Sequence, residues 1–490
     1  TVDGLHGDDD IDIDVRDLAL PGLTVKGNNP SIEGDTLTIE GVAGASNDNV
    51  SWTPAAFDGG TLVVGAQTIL VETMERLLYD GEAGDESLTV SGEGRFVHTP
   101  GAARDAGTVQ LDSLLAISYE ELGFAGTVTI DGTGAGDLLV ARGTDADDRF
   151  DVAATSGDVS LTSAHGAHVV LIRSDVEMLM LDGLNGDDMS VINLPQPYEE
   201  IHVHGGDQGS TDFLQVIEET VENETFHVFP DTTFGDGGIR VDTASDSLPI
   251  YYESAEWVNL YGGSIIYGDD DDLVIHDDTA NNLWWVTGGS DPNTVRVTID
   301  QHSPIEYFGF NDVMLMNGPA SPTGFDRFRI DATILTVASD GDFTVHGAGA
   351  DVLEALGTGQ DDWFRVVAWG GPQGTVAVNG SAVRFGGLAS LDLIGLEGND
   401  WFNVDVDASA GSDVISVPIN IDGGGPENDG VSVRGAPQSV LAESSYEPGP
   451  DPSQGVLEYW GDDAFMQINF QNVDVVQDEV VVTESFHVHA

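Results

Sequence analysis

Gly132-Thr-Gly-Ala-Gly-Asp137-Leu-Leu-Val-Ala-Arg-Gly-Thr-Asp-Ala-Asp147-Asp148-Arg-Phe150-Asp-Val152 decides how the chain is read, because it occurs twice. Its second copy, Gly347-Ala-Gly-Ala-Asp351-Val-Leu-Glu-Ala-Leu-Gly-Thr-Gly-Gln-Asp361-Asp362-Trp-Phe364-Arg-Val366, lies 214 residues downstream, with Asp351 answering Asp137 and Phe364 answering Phe150. The match continues from Leu181-Asp-Gly-Leu-Asn-Gly186-Asp187-Asp188 to Leu393-Ile-Gly-Leu-Glu-Gly398-Asn399-Asp400, offset by 212 residues. It continues again from Ile201-His-Val-His-Gly205 to Ile419-Asn-Ile-Asp-Gly423, offset by 218. A weaker third copy opens the chain: Gly7-Asp8-Asp9 precedes Gly186-Asp187-Asp188 by 179 residues, and Asp35-Thr-Leu-Thr-Ile39 precedes Asp212-Phe-Leu-Gln-Val216 by 177. Self-similarity at a long period marks a repeat architecture. The chain reads as a partial module over residues 1–126, a complete one over 127–343 and a partial one over 344–490. It opens and closes in mid-module, which is expected of a slice from a longer array or of a subunit that docks end to end.

Within the modules, short runs alternate apolar and polar residues in period two and favour β-branched side chains, as in Thr36-Leu-Thr-Ile-Glu40, Thr127-Val-Thr-Ile130 and Val295-Arg-Val-Thr-Ile299. Gly and Asp punctuate them at intervals of roughly eight to twelve residues, the pattern of strands and turns. Helical spacing is approached only over Val71–Tyr79, which reads equally well as strand. The expectation is an all-β chain with very little helix. Recurring units of roughly 20 to 30 residues have the size of one β-solenoid coil. A string of β-sandwich domains with calcium at the junctions is the alternative, since it uses the same short strands and turns.

Composition narrows the function. In 490 residues, 86 Asp and Glu face 15 Lys and Arg, a formal net charge of −71. Such a surface repels nucleic acid, anionic lipid and acidic polysaccharide, and it draws cations. No stretch approaches the length of a membrane span, so no membrane insertion is expected. There is no cysteine, so packing, backbone ladders or metal must hold the fold. An extracellular or cell-surface location is the expectation.

The strongest chemical signal is a Gly-Asp-Asp turn or a close variant of it. The residues singled out as metal candidates are Asp8, Asp9, Asp85, Asp137, Asp147, Asp148, Asp187, Asp188, Asp269, Asp270, Asp361, Asp362 and Asp400. Glycine there permits a positive φ, and paired carboxylates with turn carbonyls supply the oxygen ligands that Ca²⁺ prefers. The opposing reading is a plain turn, in which Asp bonds its own backbone. Asp269 to Asp272 form the densest run of charge.

Gly4-Leu-His-Gly7-Asp8-Asp9-Asp10-Ile11-Asp12 and Gly395-Leu-Glu-Gly398-Asn399-Asp400-Trp401-Phe402-Asn403 resemble the hemolysin-type calcium-binding repeat, Gly-Gly-x-Gly-x-Asp-x-apolar-x, except for its second glycine. More broadly the chain is similar to the Gly-Asp-rich repeats of large bacterial surface proteins. That family strings its nonapeptides in tandem, whereas here single copies are separated by other strands. The resemblance therefore implies isolated calcium sites at some turns, not a stacked ladder of ions.

Other residues are weighed against plainer roles. His202 and His204 share a strand face, as do His487 and His489, and such pairs bind transition metals when a third ligand joins them. Of Trp363-Phe364, Trp401-Phe402 and Trp284-Trp285, one residue of each pair should enter the core and the other lie outside. No Gly-x-Ser-x-Gly, His-Glu-x-x-His or P-loop pattern occurs, so no enzyme is expected. The reading is a non-catalytic structural segment of an adhesin stalk, sheath, surface layer or filament, self-associating or continuing into a longer chain. The alternatives are a secreted β-helix enzyme acting on polysaccharide and a module binding neutral glycans.

Overall fold

The computed structural model describes all residues except 5, 18–21, 29–33, 43–47, 207–210, 219–221, 264–270, 278–281, 292, 301, 318–324, 332–341, 349, 408–412, 427, 463 and 489–490. The described chain is all-β: its strands sort into two sheets, and the one helical element is a 3₁₀ turn at Val15–Asp17. The stretch from Val71 to Tyr79 is strand, interrupted between Gln67–Glu72 and Arg76–Asp80.

Alternation drives this arrangement. In Thr36–Glu40, Leu37 and Ile39 are fully buried while Thr36, Thr38 and Glu40 keep some exposure. The same division recurs in Thr127–Gly132, where Val128 and Ile130 face inward, and in Ser390–Ile394, where Leu391 and Leu393 do. Burying each such side chain is worth roughly 1.5–3 kcal/mol. A one-residue slip would turn every one of them to solvent, so the register is strongly set.

Contacts divide the chain into two compact units, residues 1–220 with 235–240 and 247–259, and residues 221–234 with 241–246 and 260–490. In the first unit one parallel ladder runs Asp10–Asp14, Thr36–Glu40, Arg76–Asp80, Ile117–Glu120. It resumes as Arg95–Pro100, Leu138–Arg142, Met178–Asp182, Glu200–His204, Ser247–Glu253. The two runs are joined by an antiparallel meander through Gly107–Leu111. The other sheet repeats the plan: Leu23–Lys26 pairs with Gln67–Glu72, a meander leads through Gly59–Val64 to Asn49–Ala56, and Ser87–Gly92 and Thr127–Gly132 follow in parallel. Successive strands alternate between the sheets wherever no meander intervenes. Each parallel crossover is therefore made by a strand of the opposite sheet rather than by a helix.

The second unit is built likewise. One ladder holds Leu283–Gly288, Arg327–Asp331, Val352–Leu356, Ser390–Ile394, Ile419–Asp422 and Phe465–Gln471. The other sheet carries Trp363–Ala368, Trp401–Asp405, Gly430–Gly435 and Val475–Val480, with a meander from Trp363–Ala368 through Gly374–Val378 to Ser381–Gly386. These inserted meanders are what makes the spacing of the sequence units irregular. No helix of the described residues is long and apolar enough to cross a membrane.

Candidate functional site: the stacked acidic turns

The Gly-Asp-Asp turns sort their two aspartates by depth. Asp8, Asp85, Asp147, Asp187 and Asp361 are exposed, whereas Asp137, Asp148, Asp188, Asp362 and Asp400 are buried and Asp9 is intermediate. Alternation forces this, because the second aspartate sits one residue before an outward side chain and so points inward.

The inner aspartates form columns. In the first unit the Asp148 N–H donates to Asp188 Oδ1 at 2.8 Å, the Asp188 N–H to Asp212 Oδ1 at 2.8 Å, and the Asp212 N–H to Glu256 Oε2 at 2.8 Å. In the second unit Asp362 donates to Asp400 at 2.8 Å, Asp400 to Asp429 at 2.7 Å, and Asp429 to Asp474 at 3.3 Å. A shorter column joins Asp9 to Asp35 at 2.8 Å and Asp35 to Glu75 at 2.7 Å. Asp137 takes the Gly94 N–H at 2.6 Å and gives its own N–H to Glu177 at 2.8 Å.

The outer row runs the opposite way along the chain. The Asp187 N–H donates back to Asp147 Oδ1 at 3.0 Å, the Thr211 N–H to Asp187 Oδ1 at 2.9 Å, and the Asn399 N–H to Asp361 Oδ1 at 2.9 Å. Gly34 donates to Asp8 at 3.3 Å and Ala125 to Asp85 at 3.0 Å. The turns at Asp8-Asp9, Asp147-Asp148, Asp187-Asp188 and Asp361-Asp362 are thus each tied to the next by two side-chain bonds of opposite direction.

The first glycine of the motif is required by closeness. A Cβ on Gly183 would meet Gly205 O and Asp188 Oδ2, and one on Gly395 would meet Gly423 O and Asp400 Oδ2. The acids that cap the columns escaped the sequence reading. Glu75, Glu177, Glu256 and Asp474 each follow a buried apolar residue, which in turn follows a residue of positive φ: Thr73, Asp175, Ser254 and Asn472, at 50° to 56°. The signal is present in Thr73-Met-Glu75, Asp175-Val-Glu177, Ser254-Ala-Glu256 and Asn472-Val-Asp474, but it has no glycine to announce the turn.

Stacking buried carboxyls has an electrostatic consequence. Burial pushes Asp188 up to about 8, against the pull of the Asp148 N–H, and the neighbouring Asp148, Asp212 and Asp147 add to the rise. Burial likewise raises Asp400 to about 6 and Glu86 to about 7. The Oδ2 atoms of Asp188 and Asp400 are buried with no hydrogen-bond partner among the described residues.

As calcium ligands the two rows differ. Ca²⁺ takes six to eight oxygens at roughly 2.3–2.6 Å. Asp188 and Asp400 each already give one oxygen to a backbone N–H and pack the other beside a glycine. The outer Asp147, Asp187 and Asp361 are exposed, each with one oxygen taken by a backbone N–H. In the second unit the buried carboxylates of Glu224 and Asp271 come within 4.8 Å of each other, close enough to share a metal ion. Asp269 and Asp270 lie outside the described residues, as does His489.

The remaining candidates are placed as follows. His202 bonds Glu200 and meets the Tyr251 ring in a tilted contact at 5.2 Å, and His204 lies 3.1 Å from Asp182. His487 meets the Ser485 hydroxyl at 2.8 Å. Phe364 and Phe402 are buried and stacked at 4.5 Å, while Trp363 and Trp401 stack outside at 6.3 Å. Trp284 is buried and Trp285 exposed. No protein-family model and no curated protein matches the chain.

Proposed function

We propose that this chain is a non-catalytic structural segment of an extracellular or cell-surface scaffold, an adhesin stalk, sheath, surface layer or filament, wound as a β-solenoid. The observation that carries this reading is the double row of aspartate bonds. The most chemically loaded residues of the sequence hold one turn to the next, in both directions, along parallel in-register ladders. Calcium at the outer row would neutralise charge that the ladders bring together.

The arginines support the same reading. Arg142, Arg149, Arg296, Arg327, Arg329 and Arg365 are paired with acids of their own unit, so they do not form the basic cluster that an enzyme acting on acidic sugars needs. Self-association, or continuation into a longer chain, is supported by Val475–Val480 and Ser485–Val488. Their described pairings run along one edge only, and Val475, Phe486 and Val488 are exposed. Such edges accept a further strand.

Negative-stain electron microscopy with sedimentation velocity tests both parts. Rods that lengthen with concentration, and that shorten to single particles in Phe486→Lys, are expected. Compact particles that stay monomeric at every concentration overturn the reading.

A further inference from the structure

The ladder of the second unit that runs from Leu283–Gly288 to Phe465–Gln471 carries a polar column on its outer face. Register places Trp285 beside Arg329, Arg329 beside Glu354, Glu354 beside Asp392, Asp392 beside Asn420 and Asn420 beside Asn469. At one end of this column lies an open groove of about 400 Å³, lined by Asp392, Asn420, Asp422, Asn469 and Gln471 with Ile394 and Phe470.

The polar groups in it are set by one another. Asn420 Nδ2 donates to Asp392 Oδ1 at 2.6 Å, Asn469 Nδ2 to Asn420 Oδ1 at 2.9 Å, and Gln471 Nε2 to Asp422 Oδ2 at 2.7 Å. Each relay bond uses one hydrogen or one lone pair of an amide that has two of each, so every one of these amides keeps at least half its capacity. The Ser390 hydroxyl at 3.2 Å also holds Asp392. At the far end the Arg329 guanidinium lies over one face of the Trp285 ring, 5.7 Å from its centroid, and the indole remains 45% exposed.

We propose that this face binds a neutral oligosaccharide lying across the strands. Amides and carboxyls at fixed positions suit hydroxyls, which donate and accept at once. An exposed indole suits the apolar face of a pyranose ring. The strand spacing of about 4.8 Å repeats the polar residues at nearly the length of one sugar in a chain. Trp285 lies three strands from Asp392, so a short oligomer spans both. An acidic sugar is refused by Asp392 and Asp422 in the groove, while Glu354 already engages Arg327 at 3.0 Å and Arg329 at 2.7 Å. A peptide strand finds no partner here, because the inner strands of this ladder are paired on both edges. The inference is independent of the scaffold reading, since the groove needs only the second unit's ladder.

Isothermal titration with cellohexaose, maltohexaose, laminarihexaose and hexagalacturonate tests it on the full chain. At least one neutral hexamer is expected to bind and the galacturonate not to. Asn420→Ala and Trp285→Ala should each weaken binding about tenfold, the size of one lost hydrogen bond or stacking contact, with unchanged circular dichroism. Three results overturn the proposal: no heat with any neutral hexamer at millimolar concentration, equal binding of the galacturonate, or full affinity in both variants.

Discussion

At the scale of single residues, the question is what keeps a buried aspartate beside others like it. Asp188 is 3% exposed and its carboxyl is raised to about 8, whereas an unfolded aspartate titrates near 3.9. The folded chain therefore holds a proton there that the unfolded chain has released, and this group's contribution to stability falls as pH rises from about 4 to about 8. Asp188→Asn keeps the oxygen that accepts the Asp148 N–H and removes the charge. It is expected to raise the melting temperature at pH 8 by a few degrees and to change little near pH 5. Asp188→Ala leaves the Asp148 N–H buried without an acceptor and should cost about 1–3 kcal/mol at both pH values. Thermal scans of the three proteins across pH check this. A loss of stability in Asp188→Asn at pH 8 would mean that the carboxylate is ionised there and held by a cation.

At the scale of the element, the motif and its glycines act as one part. Gly395→Ala pushes a Cβ into Gly423 O and Asp400 Oδ2, while Gly359→Ala meets nothing within 4 Å, although both glycines lie in the same pair of turns. The first substitution should lower stability by about 1–3 kcal/mol and the second leave it within about 0.5 kcal/mol, as read by urea unfolding. This pair also shows what could be read beforehand. Strands such as Thr36–Glu40 were legible because period-two alternation is local, and the Gly-Asp-Asp turns were legible because they repeat. The meander through Gly107–Leu111 was not, since its strands look like any others and only pairing partners distinguish antiparallel from parallel. The direction of the carboxyl groups was hidden too. Two adjacent aspartates read as a pair of ligands, yet Asp147 faces solvent and Asp148 faces the core because side chains alternate. The polar column from Trp285 to Asn469 draws on strands far apart in sequence, so no spacing in the chain reports it.

At the scale of the whole molecule, a net charge of −71 must be screened, protonated or bound by cations, and these three remedies are separable. Screening acts over a Debye length of about 10 Å at 0.1 M salt, so it relieves the exposed carboxylates and leaves the inner columns nearly untouched. Protonation relieves the buried carboxyls, where Asp188, Glu86 and Asp400 sit at about 8, 7 and 6. Calcium would act at the outer row, on the exposed Asp147, Asp187 and Asp361. Melting temperature is therefore expected to rise with sodium chloride at every pH and to rise separately as pH falls from 8 toward 5. Millimolar calcium should add a further increase that sodium chloride at matched ionic strength does not reproduce and that a chelator removes. If matched sodium chloride reproduces the whole calcium effect, the outer aspartates are hydrogen-bond acceptors on a solvated face, and the turn-to-turn bonds of Asp147, Asp187 and Asp361 are their entire role. If calcium alone adds stability and Asp187→Asn abolishes that increment while leaving the sodium chloride response intact, the outer row is a cation site, and the ladder that orders it is what the resemblance to calcium-binding repeats was tracking.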